Sequence, residues 1–265
     1  MKKWVIWSIV GWGSWLHAQL VEPAAVTARA GAYPAHPIAW NASVHPASNA
    51  FGSRKQLHLS WGIPYRIANY RMGAVAFFTR IGSGSLGGVV EYERPHPEMQ
   101  AWMASIGYGH LLGSSASIGA AFHYLRIDRM FYPPVAYLLG TLSLGGRWGA
   151  WRGAVSIFNV AGVFQQRSNL EVPSVFRLSG QWHINHDQGA IYMDIRHIWQ
   201  KGVALSMGFR MQIAPRLWGL GGIGVGPWRA GLGIEFKTPT FTLCLAAGYH
   251  RVLGWWPSVE VGMHW

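Results

Sequence analysis

From residue 56 to the end of the chain, apolar and polar positions alternate with a period of two. In 203–213 one set is Val203, Leu205, Met207, Phe209, Met211 and Ile213, and the other is Ala204, Ser206, Gly208, Arg210 and Gln212. Phe176, Leu178, Trp182 and Ile184 likewise alternate with Val175, Arg177, Ser179, Gln181 and His183. Trp228, Ala230, Leu232, Ile234 and Phe236 stand against Arg229, Gly231, Gly233, Glu235 and Lys237, and the chain ends with Val259, Val261, Met263 and Trp265 against Ser258, Glu260, Gly262 and His264. Successive side chains of a strand point to opposite faces, so each segment predicts a strand with one apolar face. Turn residues divide the chain into strands at 56–63, 72–80, 86–94, 100–110, 116–127, 135–147, 151–163, 174–184, 189–199, 202–214, 216–226, 228–237, 240–250 and 257–265. The longest uncharged stretch, 99–125, is too rich in Gly and Ser for a helical span.

Alternation alone fits a soluble sandwich as well as a membrane barrel. Composition separates them. Only 12% of the 265 residues are charged and half are hydrophobic, against roughly 25% charged in ordinary soluble domains. The polar faces carry Gly, Ser or a single charge, not the Lys/Glu-rich pattern of a water-exposed sheet. Trp61, Trp148, Trp151, Trp199, Trp218, Trp228, Trp255 and Trp256 fall near strand ends, where interfacial aromatic girdles belong. The expected fold is therefore all-β: a transmembrane, antiparallel, up-and-down β-barrel of about 14 strands over residues 56–265. Turns such as 82–84, 113–114 and 214–215 form a short set. The alternate set, including 64–71, 94–99, 128–134, 164–173 and 251–256, reads as mostly longer.

The N-terminal region is different. Two lysines, an apolar run over 4–16 and His17-Ala18 predict a cleaved signal peptide, residues 1–18. Residues 19–55 hold prolines at 23, 34, 37 and 46, which exclude a regular strand. Their small, weakly charged content around Trp40, Asn41 and Pro46 suits a plug or hatch inside the barrel.

Several chemistries find no footing. One cysteine rules out a disulfide framework. The net charge of +12 is dispersed about one residue per strand, so nucleic acid is not an expected partner. No metal cluster, phosphate loop or cofactor motif stands out, neither Ser179 nor Ser206 has a partner that singles it out, and an enzyme is not expected. The strand phase turns Arg177, His183, Asp194, Arg196, Arg210, Arg229, Glu235, Lys237, Glu260 and His264 into the lumen, where charges must pair with one another or with water. A structural polar lumen accounts for them more simply than a ligand site does.

Short motifs carry a family resemblance. Ala28-Arg29-Ala30-Gly31, then Asn41, then His45-Pro46-Ala47 before the first strand resemble the N-terminus of the PorV/PorQ branch of the FadL superfamily. His250-Arg251-Val252-Leu253-Gly254 followed by Ser258-Val259 resembles the approach to that family's last strand, and Asn159 in Ser156-Ile157-Phe158-Asn159-Val160 resembles a recurrent strand ending. The alternating C-terminus closing on Trp265 resembles the last-strand signal read by barrel-assembly machinery. The resemblance to PorV/PorQ implies an accessory or docking subunit of a secretion machine of the type IX kind, within a larger outer-membrane complex. Resemblance to FadL implies passive uptake of hydrophobic small molecules through a hatched barrel. A third reading is a barrel that serves assembly alone. The expected location is the outer membrane, in contact with its lipids and lipopolysaccharide, and Trp255 and Trp256 are the expected partner-facing residues at the rim.

Overall fold

The computed structural model describes residues 23–35, 37–66, 69–165, 172–184, 188–199 and 201–265. The signal segment and its cleavage point lie outside the described residues.

The strands are β1 (Gln56–Gly62), β2 (Arg71–Ile81), β3 (Gly84–His96), β4 (Met99–Leu111), β5 (Ala116–Arg129), β6 (Tyr132–Trp148), β7 (Trp151–Phe158), β8 (Val175–Ile184), β9 (Gly189–Ile198), β10 (Gly202–Ala214), β11 (Leu217–Val225), β12 (Arg229–Lys237), β13 (Phe241–His250) and β14 (Gly254–His264). Each pairs antiparallel with the next. β1 pairs with β14, from Gln56 opposite His264 to Gly62 opposite Ser258, so the sheet closes into a 14-stranded barrel. Closure satisfies every strand's hydrogen-bonding edge, which a sheet surrounded by hydrocarbon requires. The end holding Trp265 and the start of β1 is termed the lower end, and the opposite one the upper end.

The period-two phase holds along the wall. Met207 is 45% exposed while its neighbour Ser206 is 1% exposed. Val203, Phe209, Phe176, Leu178, Ile234 and Met263 face outward with Met207, making an apolar belt where water would be the wrong solvent. Trp61, Trp102, Trp199, Trp228 and Trp255 are exposed toward the upper end, and Trp148, Trp151, Trp182 and Trp265 toward the lower. Those two sets are the aromatic girdles that such barrels place at the two interfaces.

Four boundaries differ from expectation. Strand 151–163 ends at Phe158, because Asn159 adopts φ 52° and turns the chain into helix α4 (Val160–Gln165). Its side chain then closes the corner, Nδ2 donating to Val172 O at 2.8 Å. The expected loops 94–99 and 128–134 are two-residue turns, since pairing continues to His96–Met99 and Arg129–Tyr132 after register shifts near Pro95 and Pro133. Only 63–70 and 159–174 are long connections at the upper end. Finally, β14 starts at Gly254, which places Trp255 and Trp256 inside the strand.

Among the described residues, the stretch before the barrel forms no strand. It contains α1 (Ala24–Ala28), α2 (Asn41–Val44) and α3 (Pro46–Asn49), with Pro46 at the first position of α3. Ala24, Val26, Ala28, Tyr33, Trp40, Asn41, His45 and Ala47 are all at most 1% exposed. Inward glycines make this possible. A methyl group on Gly107 would lie 2.1 Å from Ala42 O, on Gly109 2.2 Å from Pro46 O, and on Gly119 2.4 Å from Ala47 N. Across the barrel, one on Gly231 would meet Thr27 O at 2.1 Å and one on Gly222 would meet the Arg29 carbonyl carbon at 2.5 Å. The alternation that reads simply as small inward residues is thus a groove shaped to the backbone of residues 27–47.

Candidate functional site: a divided lumen

The interior has an apolar half and a polar half. Met103, Leu125, Ile127, Leu139, Phe158, Val175 and Ile198 point inward close to the upper turns and pack with Val172. Val26, Tyr33, Trp40 and Ala42 of the N-terminal segment belong to the same cluster. Toward the lower end lies a cavity of 370 Å³ whose walls carry Arg29, Gln181, His183, Arg210, Glu235, Glu260 and His264.

The luminal residues expected from the sequence separate into two groups. Arg177, Asp194 and Arg196 come together in a buried cluster, with Asp194 Oδ1 3.6 Å from Arg177 Nε and 3.5 Å from Arg196 Nε. Ser179 Oγ donates to Asp194 Oδ2 at 2.7 Å and meets His45 Nε2 at 2.7 Å on its other side. Arg177 also lies 4.8 Å over the Tyr33 ring. The cluster therefore ties the N-terminal segment to β8 and β9. Burial, and then the Arg177 charge, hold His45 well below the ordinary imidazole value, so it is neutral at pH 7. His45, Ser179 and Asp194 are the residue types of a hydrolase triad in the wrong order. In a triad the imidazole stands between hydroxyl and carboxylate and takes the hydroxyl proton; here the hydroxyl stands in the middle and gives its proton to Asp194.

The second group lines the lower cavity. Arg210 Nη2 reaches Glu235 Oε1 at 2.5 Å with its guanidinium 3.5 Å over the Trp218 ring, and Gln181 Nε2 meets His183 Nε2 at 2.8 Å. The three segment residues singled out by sequence also have partners. Trp40 Nε1 donates to Glu260 Oε1 at 2.8 Å, Asn41 Nδ2 donates to Pro34 O at 2.9 Å, and the Pro46 carbonyl sits over Gly109. Trp255 is exposed. Trp256 is buried and donates to Thr27 Oγ1 at 3.2 Å, so as a rim contact it is corrected. Within β14, alternation lets only one of two adjacent tryptophans face out.

Sequence reasoning missed several residues that organise the site. His58 Nδ1 donates to Glu260 Oε1 at 2.8 Å and the Ala25 amide donates to Oε2 at 3.2 Å, completing a three-donor anchor with Trp40. Ser117 Oγ donates to Ala47 O at 2.8 Å, and the Ala47 amide donates to Ser143 Oγ at 2.9 Å. Ser117, Ser143 and Ser179 carry a legible signal only in hindsight, as small inward hydroxyls beside inward glycines. Among the described residues no group of three potential metal ligands converges.

No protein-family profile matches the chain, and no curated protein sequence does. Its fold is similar to solved barrels. The Ralstonia pickettii toluene transporter TbuX superposes with a TM-score of 0.67 at 9% identity, over 92% of this chain and 97% of that one. The CymD monoaromatic hydrocarbon channel gives 0.66 at 10% identity over 91% and 96%. A Pseudomonas aeruginosa FadL homologue gives 0.65 at 9% identity over 91% and 96%. The chain therefore shares the overall barrel fold of these solved structures.

Proposed function

We propose that the protein is an outer-membrane barrel that passes small hydrophobic molecules and is closed at rest by residues 19–55. The observation that carries this reading is the apolar inner cluster at the upper end, with the N-terminal segment packed between it and the polar lower cavity. An apolar solute leaving water gains free energy on reaching Met103, Ile127 and Phe158. It then meets a buried segment, not an open aqueous channel. A plug is consistent with the neat fit of Ala42, Pro46 and Ala47 over glycines, which a segment in transient contact would not need. The barrels with the same fold include ones named as hydrocarbon channels and toluene transporters, which favours passage over the secretion-docking role implied by the PorV/PorQ motifs. The outer-membrane address, the signal peptide and contacts with lipid and lipopolysaccharide along the apolar belt are parts of the same proposal.

Uptake of radiolabelled toluene by cells producing the protein tests it. Uptake should exceed that of cells with an empty vector, and should fall when Met103→Glu or Ile127→Asp puts a charge in the upper cluster of a barrel that still folds. Equal uptake by cells with and without the protein would remove the transport reading.

A further inference from the structure

Among the described residues, Arg29 is a buried cation of the lower cavity without an acidic partner. Arg29, the residue capping the C-terminus of α1, is 3% exposed and lines the cavity. Its guanidinium stacks 4.4 Å over the Tyr192 ring, and its Nε has no hydrogen-bond partner. Among the described residues no carboxylate lies within ion-pair distance of it. The comparison inside the same barrel is direct: Arg177 and Arg196 flank Asp194, and Arg210 holds Glu235.

An unpaired buried charge is costly, and a guanidinium cannot escape the cost by losing its proton. The aromatic face of Tyr192 offsets part of it. The position is also built rather than incidental. A methyl group on Gly208 would lie 2.7 Å from Arg29 Cβ, and one on Gly222 2.5 Å from its carbonyl carbon, so two inward glycines form the socket that seats it. The rest of the cavity does not supply the missing charge. Among the described residues its walls carry Arg29, Arg54, Arg152, Arg210 and Lys237 against Glu235 and Glu260, five basic side chains to two acidic. Both acids are engaged, Glu235 by Arg210 and Glu260 by Trp40, His58 and the Ala25 amide.

We infer that this lower cavity is a binding site for a compact oxyanion, the carboxylate of a small organic acid or a phosphate, held by the planar fork of Arg29. Guanidinium recognises both groups through paired N–H donors, and 370 Å³ lies within the range of small-molecule pockets. The site is independent of the transport reading, since an anion can seat there whether or not a hydrocarbon crosses the barrel.

The test uses the full mature chain folded in detergent, with inorganic phosphate and benzoate as separate probes. Either anion should raise the Tm, and calorimetry should show binding at least tenfold weaker in Arg29→Gln, with Arg29→Lys between the two. Arg251→Gln, at an exposed upper turn, should bind like the wild type. A response to phosphate alone assigns the site to phosphate, and one to benzoate alone assigns it to carboxylates. No response to either probe, or equal affinity in wild type and Arg29→Gln, would overturn the inference. If Arg29→Gln does not fold, the wild-type protein decides: the Arg29 Nε–H resonance must shift on adding the bound anion, and an unmoved resonance refutes the site.

Discussion

Replacing Glu260 with Ala should loosen the N-terminal segment while leaving the barrel standing. The carboxylate accepts from Trp40 Nε1 at 2.8 Å, His58 Nδ1 at 2.8 Å and the Ala25 amide at 3.2 Å, and it is 4% exposed. Removing it strands three buried donors. One such donor left unsatisfied costs about 1–3 kcal/mol, and losing one member of a buried charged network costs about 3–5 kcal/mol in total. Two of the three donors, Trp40 and Ala25, belong to the segment, so most of that loss weakens its seating. The wall keeps its ladder, because β14 pairs with β13 and β1 through backbone groups. At tenfold per 1.4 kcal/mol, the released fraction should rise on the order of 10²–10³-fold.

Single-channel recording in a planar bilayer measures that fraction as the rate and dwell of open events. A barrel of 14 strands is wider than one that wall side chains alone can fill, so release should be visible as conductance. Glu260→Gln keeps one acceptor oxygen and should fall between wild type and Ala. Trp40→Phe should open the wild-type barrel but add little in the Glu260→Ala background, where its N–H is already stranded. An Ala variant as quiet as the wild type, with its heat-modifiable migration intact, would refute the anchoring argument. So would simple additivity of the two substitutions.

Further outcomes follow from the same contacts. Met207→Arg should cost about 2–4 kcal/mol near mid-membrane. Ser206→Arg, which alternation alone would place harmlessly in a polar lumen, should also be costly by urea unfolding, because Arg229 Nη2 already donates to Ser206 Oγ at 3.1 Å in a closed space. Gly107→Ala should lower the Tm, since its methyl group would sit 2.1 Å from Ala42 O, and overpacking of this kind costs about 1–3 kcal/mol. Gly180→Ala, with no atom within 4 Å of the added methyl, should be near neutral. Seating of the segment should weaken as pH falls below about 6.5, the ordinary imidazole value. His45 is held neutral when seated and takes up a proton when released, so the loss grows by at most about 1.4 kcal/mol per pH unit. His45→Gln should flatten the pH dependence of channel opening between pH 6.5 and 5.

The barrel wall was legible because its signal is local. Each strand declares its faces through residues two apart, and the phase that sets Met207 outward and Arg210 inward needs no knowledge of neighbours. Boundaries were harder where one residue overrides the pattern, as Asn159 does by turning the chain at φ 52° after Phe158. Trp256 misleads for a related reason: two adjacent tryptophans look like a rim, until strand geometry sends one of them to Thr27. The interior contacts were not legible at all. His45 and Ser179 are 134 residues apart and Trp40 and Glu260 are 220 apart, and only closure of the ring brings them together. Arg29 appeared in the sequence merely as part of a short motif, and its place over Tyr192 with no acidic partner among the described residues is a property of the assembled cavity.

The same topology argues that the segment moves in parts. Residues 25 and 40 are tied to Glu260 on β14, whereas Ala47 is tied to Ser117 on β5 and Ser143 on β6, and His45 to Ser179 on β8. These tethers lie on separate strands and share no partner, which is the condition for independent energetics. Releasing everything at once would require breaking all of them together with the burial of Tyr33 and Trp40, so the accessible motion is the loss of one tether. Amide hydrogen exchange reads this directly, since the Ala25 amide donates to Glu260 and the Ala47 amide to Ser143. Glu260→Ala should speed exchange at Ala25 and leave Ala47 protected, while Ser143→Ala should do the reverse. If either substitution speeds both amides equally, the segment swings as one body, and the two-tether account fails while the anchoring role of Glu260 survives.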